Sequence, residues 1–408
     1  MTGVPPRVAP DFLFSQGVPA PCFVLDEARL DENAAVLDSV QKRTGARILL
    51  ALKAFSAWAL FPRLSRALRG PLWGTCASSV DEARLGREEF GGEVHAFAAA
   101  FDEADMRELL GLADHITFNS LAQWRRFAPM IAEHAARTGR PPVCGLRINP
   151  EHSEGAAAIY DPCSPGSRLG IRPADFDGHV FEEGITGLHM HTLCEQGADA
   201  LARTLAACRR KFAPHLARCR WMNLGGGHHI TKAGYDRELL CKSLEEWRAA
   251  FGLETLYLEP GEAVALEAGW LTATVLDIVR ADMPVAVLDV SAACHMPDVL
   301  EMPYRPNVFC ENGRGIVMAG GAEDAAPGDW KCRLAGKSCL AGDVIGEYAF
   351  PAPLKTGQRL VFGDMAIYSM VKTTTFNGLR LPSIGAFRGR SFRMLRTFGY
   401  EDFKTRLS

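Results

Sequence analysis

Short runs of strand-forming residues punctuate the first two thirds of the chain, at 47–52, 72–76, 93–97, 115–118, 143–148, 185–191, 221–224 and 256–258. Between several of them the apolar positions fall at helical spacing instead, as at 199–212 and 237–251. Strands that alternate with amphipathic helices predict βαβ units and a parallel sheet. Eight such units predict an α/β fold, a (β/α)8 TIM-like barrel over residues 27–263. Beyond Gly261 the pattern changes to β-branched and apolar runs at 271–279, 285–290, 315–318 and 359–362, separated by Gly and Pro turns. That pattern predicts antiparallel β structure and a second domain over 264–408. An early strand candidate, 22–25, precedes a helical stretch at 27–42 and is expected to join the β domain through the N-terminal segment 1–26.

Composition narrows the function classes. At 408 residues the chain exceeds the size at which a single core stops growing, in keeping with two domains. A net charge of -3 gives no electrostatic footprint for nucleic acid. No window offers the roughly 20 uninterrupted apolar residues of a spanning helix, so no membrane partner is expected. The twelve cysteines are scattered through apolar segments without repeating spacing, as for reduced thiols in a cytoplasmic protein. The stretch from Met1 to Phe14 carries three prolines and an acid and lacks a basic region followed by an apolar one, so no secretory leader is expected there.

In a barrel of this kind the chemistry belongs where strands end at the C-terminal face. Arg-Ile-Leu-Leu-Ala-Leu-Lys places the Lys53 amine at the end of the first barrel strand, where partial burial favours Schiff-base chemistry. The bland alternative is a solubilising strand-end lysine. His189 and His191, two apart on a strand, face the same side. With His228 and His229 they could ligate zinc, but no Cys or carboxylate set at zinc spacing accompanies them, and no metal is expected. Gly225, Gly226 and Gly227 follow a strand and could bring backbone N–H groups close to an anion, or could be a flexible turn. The Gly-x-Gly-x-x-Gly nucleotide fingerprint is absent. Glu259 and Glu262, in Glu-Pro-Gly-Glu, close the last barrel strand, where a carboxylate could hold a proton on a ring nitrogen or remain a solvated loop acid. Cys339 and Asp343 share the segment Gly-Lys-Ser-Cys-Leu-Ala-Gly-Asp, and Tyr368 precedes a Thr-Thr-Thr-Phe-Asn-Gly run.

Taken in this order, the segments resemble the alanine-racemase-like, fold-type III pyridoxal-phosphate decarboxylases. Within that group the chain is similar to the carboxynorspermidine and carboxyspermidine decarboxylases. The resemblance rests on ALKAFSAW (51–58), ASSVDEARLGREEFGGEVH (77–95), FNSLAQW (118–124), GLRINPEHS (145–153), YDPCSPGSRLGI (160–171), GLHMHTLCEQ (187–196), NLGGGHHIT (223–231), LEPGEA (258–263) and GYEDFKTRLS (399–408).

Carried over residue by residue, the resemblance makes Lys53 the lysine that bears the cofactor and His191 the imidazole stacked on its ring. Gly225, Gly226, Gly227 and Tyr368 would hold the phosphate, and Glu259 would pair with the pyridine nitrogen. Cys339 would reach in from the partner subunit of a homodimer as the proton donor, with Asp343 of the same loop facing the substrate. Where the ornithine decarboxylases have an arginine after Glu-Pro-Gly, this chain has Glu262. That loses a phosphate cation and gains a carboxylate which, with Asp298, could pair with a polyamine ammonium.

The resemblance implies pyridoxal-phosphate-dependent decarboxylation of a carboxylated polyamine in polyamine biosynthesis, in the cytoplasm. Another amino-acid decarboxylase of the group, acting on diaminopimelate, ornithine or arginine, is the nearest rival, since fold does not fix the reaction. A racemase fits less well, because alanine racemases place an arginine where Glu259 stands. A non-catalytic cofactor carrier would have no use for the C-terminal domain, and a metal-dependent hydrolase rests only on the four histidines.

Overall fold

The computed structural model describes residues 7–155 and 158–408; positions 1–6, part of the stretch considered above for a leader, lie outside the described residues. Strand β1 (Cys22–Asp26) and helix α1 (Glu27–Thr44) precede eight strands that match the sequence pattern one for one. These are β2 (Arg47–Ala51), β3 (Gly74–Ala77), β4 (Glu93–Phe97), β5 (His115–Phe118), β6 (Val143–Arg147), β7 (Gly187–His189), β8 (Trp221–Asn223) and β9 (Thr255–Leu258). Each pairs in parallel with the next, and β9 returns to β2, so the sheet closes on itself. The helices between strands include α2 (Val80–Leu85), α3 (Glu103–Leu112), α4 (Leu121–Thr138), α5 (Ala198–Leu216) and α6 (Arg237–Phe251); α7 (Glu262–Ala265) follows the last strand.

Local chemistry sets the helix ends. The Asp236 side chain accepts the Leu239 N–H at 2.8 Å at the start of α6, and Gly252 ends that helix in the left-handed region at φ 61°. Ser120 caps α4 in the same way, accepting from Gln123, and the helix buries Trp124, Phe127 and Ile131. One apolar face against the sheet accounts for the helical spacing seen in the sequence.

The barrel lumen is filled by side chains. Trp221 at the start of β8 packs with Leu49, Ala51, Cys76 and Tyr257, and its Nε1–H donates to Thr186 Oγ1 at 3.0 Å. It fits because two neighbouring strands offer glycine: a Cβ on Gly145 would lie 2.5 Å, and one on Gly187 2.3 Å, from the indole ring. Truncating Trp221 to alanine would leave a cavity and cost about 3–5 kcal/mol.

The chain folds as two compact units, residues 31–264 and residues up to 30 together with 265–408. The second unit is a mixed sheet, not the antiparallel one expected. β1 pairs antiparallel with Gly269–Val279 but parallel with Ser383–Arg388, and Val285–Leu288 pairs parallel with Trp330–Ala335. Parallel neighbours need a long connection between them, and turn signals, which report hairpins, cannot reveal such pairs. Trp330–Ala335 also escaped the sequence reading, although its polar Lys331 and Arg333 alternate with buried Cys332 and Leu334 at strand period. The core of this unit gathers Leu13, Val18, Val24, Trp270, Phe309 and Val361.

Candidate active site

Lys53 sits in the turn just beyond β2 with its side chain exposed. The turn is anchored on both sides: the Leu52 N–H donates to Cys76 O at 3.1 Å, and the Ala51 N–H to Pro260 O at 3.2 Å. The lysine therefore stands among the ends of β2, β3 and β9, at the C-terminal face of the barrel.

On β7, His189 Nε2 lies 3.2 Å from Glu259 Oε2. His191, one pleat further, accepts the Gly226 N–H on its Nδ1 at 3.0 Å, which leaves any ring proton on Nε2. Removal from water, with the Lys53 and Arg147 charges nearby, holds the His191 imidazole well below its ordinary value, so the ring presents an uncharged face at neutral pH. Arg147, at the end of β6, donates to His191 O at 2.8 Å and lays its guanidinium 4.6 Å from the Phe97 ring centre. Phe97 in turn stacks on His189 with centroids 5.5 Å apart.

The glycine triplet is a built turn. Gly225 and Gly227 have φ of 71° and 83°, and a Cβ would fall 2.2 Å from Glu259 O at Gly226 and 1.8 Å from Leu193 O at Gly227. Two of its three amides already have partners: the Gly225 N–H donates to Asn223 Oδ1 at 2.9 Å and that of Gly226 to His191. Among the described residues no protein acceptor takes the amides of Gly227 and His228. An anion-binding role for the loop thus falls to Gly227 and His228.

Glu259, just after β9, is the electrostatic centre. Asn223 Nδ2 donates to its Oε1 at 2.6 Å while His189 meets the other oxygen. Burial alone would raise its carboxyl, but the contact with His189 outweighs that and holds it well below the usual carboxylate range. Glu262 lies three residues on, and His229 Nε2 stands 2.9 Å from its Oε1.

The remaining residues singled out in the sequence belong to the second unit. Cys339 is the exposed cysteine of the twelve, on a loop pinned where its N–H donates to Asn377 Oδ1 at 2.7 Å. Asp343 was expected to face a substrate, yet it is 3% exposed and accepts from Ser291 Oγ at 2.8 Å, Ser338 Oγ at 2.6 Å, the Ala293 N–H at 3.2 Å and the Ser338 N–H at 3.3 Å. Its oxygens organise the 338–343 loop. Asp298 is paired with Lys372, as is Glu301. Tyr368 is partly buried, with φ 48°, and its carbonyl accepts from the Lys372 N–H at 2.9 Å. Each carboxylate proposed from sequence to meet a polyamine, Glu262, Asp298 and Asp343, therefore has a partner inside the protein.

The four histidines do not converge on one point. His189 meets Glu259, His191 meets Gly226, His228 Nδ1 lies 2.6 Å from the Tyr235 hydroxyl, and His229 meets Glu262. A different group, Glu93, His95 and His115, brings ligand-type atoms within 4.8 Å of one another in the barrel. There the two imidazoles are stacked with centroids 4.0 Å apart and planes 8° off parallel, so their in-plane lone pairs do not converge, and Arg47 already pairs with Glu93. Arg147 and Asn223 were missed by sequence reasoning, which had weighed His229 only as a metal ligand. The one available signal was their position at or just past predicted strand ends.

Comparison with known proteins adds three findings. The family model described as pyridoxal-dependent decarboxylase, C-terminal sheet domain, matches residues 22–366. The carboxyaminopropylagmatine decarboxylase of Synechocystis sp. is 44% identical over 392 residues, 96% of each chain, and the carboxynorspermidine/carboxyspermidine decarboxylase of Campylobacter jejuni 39% over 397 residues, 97% of this chain and all of the other. The crystal structure of carboxynorspermidine decarboxylase from C. jejuni complexed with norspermidine superposes with a TM-score of 0.82 at 36% identity, covering 95% of this chain and all of that one. Among the described residues no helix is long and apolar enough to cross a membrane.

Proposed function

Because this chain belongs to the pyridoxal-dependent decarboxylases, we propose that it decarboxylates carboxynorspermidine or carboxyspermidine to norspermidine or spermidine, a step of polyamine biosynthesis, using pyridoxal phosphate. The observation that carries the reading is Glu259, a buried carboxylate kept ionised between His189 and Asn223. Such a group can hold a proton on a ring nitrogen, and the residues around it fit the cofactor. Lys53 offers an exposed amine for its aldehyde, His191 an uncharged face for its ring, and the unpartnered amides of Gly227 and His228 donors for its phosphate. Tyr368 is assigned a further hydrogen bond to that phosphate on resemblance alone.

When bound, pyridoxal phosphate supplies the electron sink for the pair left behind as the carboxylate departs. The protein's part is positional and electrostatic. Lys53 would hold the cofactor through its amine. Arg147 holds the His191 backbone, and so the imidazole plane, through the bond to its carbonyl. Glu259 would keep a proton on the cofactor's ring nitrogen. A proton from Cys339 Sγ then fills the vacated position on carbon. Asp343 acts on the same step indirectly, by bracing the loop that carries Cys339.

The reading includes a cytoplasmic homodimer in which Cys339 serves the barrel of the other subunit. Glu262 and Asp298, each expected from sequence to contact the substrate, would meet an ammonium only by sharing it with their own partners, His229 and Lys372. A second reading, favoured by the 44% identity to the Synechocystis protein, is that the distal group is the guanidinium of carboxyaminopropylagmatine.

Carbon dioxide release by the purified, cofactor-loaded protein distinguishes these readings. The panel is carboxynorspermidine, carboxyspermidine, carboxyaminopropylagmatine, ornithine, arginine and diaminopimelate, with Lys53→Ala as control. Turnover of the first two alone, lost in the control, supports the assignment. Preference for the third moves it to the guanidinium substrate, and turnover confined to the last three removes the carboxylated-polyamine reading.

A further inference from the structure

Where the ornithine decarboxylases have an arginine, α7 opens with Glu262, and its carboxylate stands in a loop that is packed against the glycine turn. Gly226 lies so close to the Glu259 carbonyl that a Cβ there would be 2.2 Å from it, and Gly227 leads directly into His228 and His229. The loops after the seventh and eighth barrel strands, β8 and β9, are the customary place for a phosphate in this architecture. A bare carboxylate there would repel a phosphate dianion, and in partly buried surroundings that repulsion is strong.

The structure answers this with an ion pair. His229 Nε2 stands 2.9 Å from Glu262 Oε1, at ion-pair distance though off the line of a hydrogen bond, and the two side chains are only 10% and 17% exposed. The contact joins the two loops. We propose that the His229–Glu262 pair is the charge-compensating wall of the phosphate site, so that retention of the cofactor's phosphate is governed by the protonation of His229. This rests on the reading in which Gly227 and His228 hold that phosphate.

The groups facing His229 support the assignment. Burial would lower its pKa, but Glu262, aided by Glu195 and opposed by Lys232, outweighs burial and raises it above the ordinary histidine value. His228, beside it, is lowered to about 4 by burial and by His229, stays neutral, and has its Nδ1 engaged by Tyr235. One positive charge therefore balances one negative charge. The amides of Gly227 and His228 remain for the phosphate, and His229 acts as a positioning residue for charge.

The pair predicts a sign. As pH rises through the His229 pKa the proton is lost, Glu262 is uncovered, and affinity for the phosphate falls. Equilibrium dialysis of the full-length chain against pyridoxal phosphate and, in parallel, against pyridoxal, which lacks the phosphate, reads this without reference to turnover. His229→Gln should raise the dissociation constant for pyridoxal phosphate about tenfold and leave that for pyridoxal unchanged. Adding Glu262→Gln should restore it. Glu262→Gln alone should move the pH limb down toward the ordinary histidine range. The inference is overturned if His229→Gln binds pyridoxal phosphate as wild type does, if both ligands weaken equally, or if the double variant gives no recovery. Should His229→Gln fail to fold, an unmoved pH limb in Glu262→Gln overturns it equally. Wild-type protein that retains neither ligand at any pH would instead remove the cofactor reading on which the inference stands.

Discussion

His189 and Glu259, 70 residues apart in sequence, meet at 3.2 Å between Nε2 and Oε2, and the other oxygen of that carboxylate takes the Asn223 amide at 2.6 Å. Both donors come from neighbouring barrel strands, β7 and β8. The carboxylate is therefore fixed in place before any ligand arrives, which is the preorganisation that electrostatic catalysis needs.

Glu259→Gln keeps the shape and removes the charge. Decarboxylation should fall by roughly two to four orders of magnitude, the scale of a lost proton-holding group, while pyridoxal phosphate remains bound, as judged by its absorbance. Asn223→Ala removes both the donor to Glu259 and the acceptor of the Gly225 N–H, and should lower the unfolding free energy by about 1–3 kcal/mol in denaturant titrations. A Glu259→Gln protein with wild-type turnover would show that the carboxylate has no part in the chemistry.

Gly227→Ala should lose the cofactor more completely than any charge change at the site. Its φ of 83° is strained for an alanine, and the added Cβ would sit 1.8 Å from Leu193 O, so backbone must shift. Gly252→Ala shares the positive φ of 61° but has open space around it. It should cost only about 1 kcal/mol and leave cofactor content intact, which absorbance per subunit would test.

Stability should decline as the medium is acidified from pH 6.5 toward about 4. His295 is lowered from 6.5 to about 4, by burial first; its Nδ1 accepts the Ser291 N–H at 3.1 Å and its Nε2 lies 3.1 Å from Arg380 O, so protonation would break the Nδ1 bond. His228 is lowered to about 4 as well, and His115 to about 2. Between those values and 6.5 the unfolded chain binds protons that the folded one refuses. Stability is thus full above 6.5 and is lost as pH falls, at up to about 1.4 kcal/mol per pH unit for each site. The denaturant midpoint followed against pH should show the slope, and His295→Gln should flatten it.

Cys339→Ala should fold as wild type, because the side chain is exposed, and should lose turnover by about a hundredfold or more as a missing proton donor. Mixing it with Lys53→Ala should restore about a quarter of wild-type sites if the thiol acts across a two-fold dimer with random subunit exchange. Proven exchange without recovery would leave each subunit to serve its own site.

The chain's local pattern alone determined the eight barrel strands, the Lys53 and Glu259 positions at strand ends, and the shared side of His189 and His191, because strand period and strand termini are properties of a few adjacent residues. Tertiary structure decided who partners whom. Closing the barrel brings Asn223 to Glu259 and Arg147 to the His191 carbonyl, and wedges the glycine turn against Leu193 and Glu259, contacts that no spacing along the chain announces. Folding likewise turned Asp343 inward, gave Asp298 to Lys372 and Glu262 to His229, and set β1 parallel to a strand from the far end of the chain. A carboxylate's role depends on which donor or cation reaches it first within a few ångströms, and that is fixed only when distant segments are packed together.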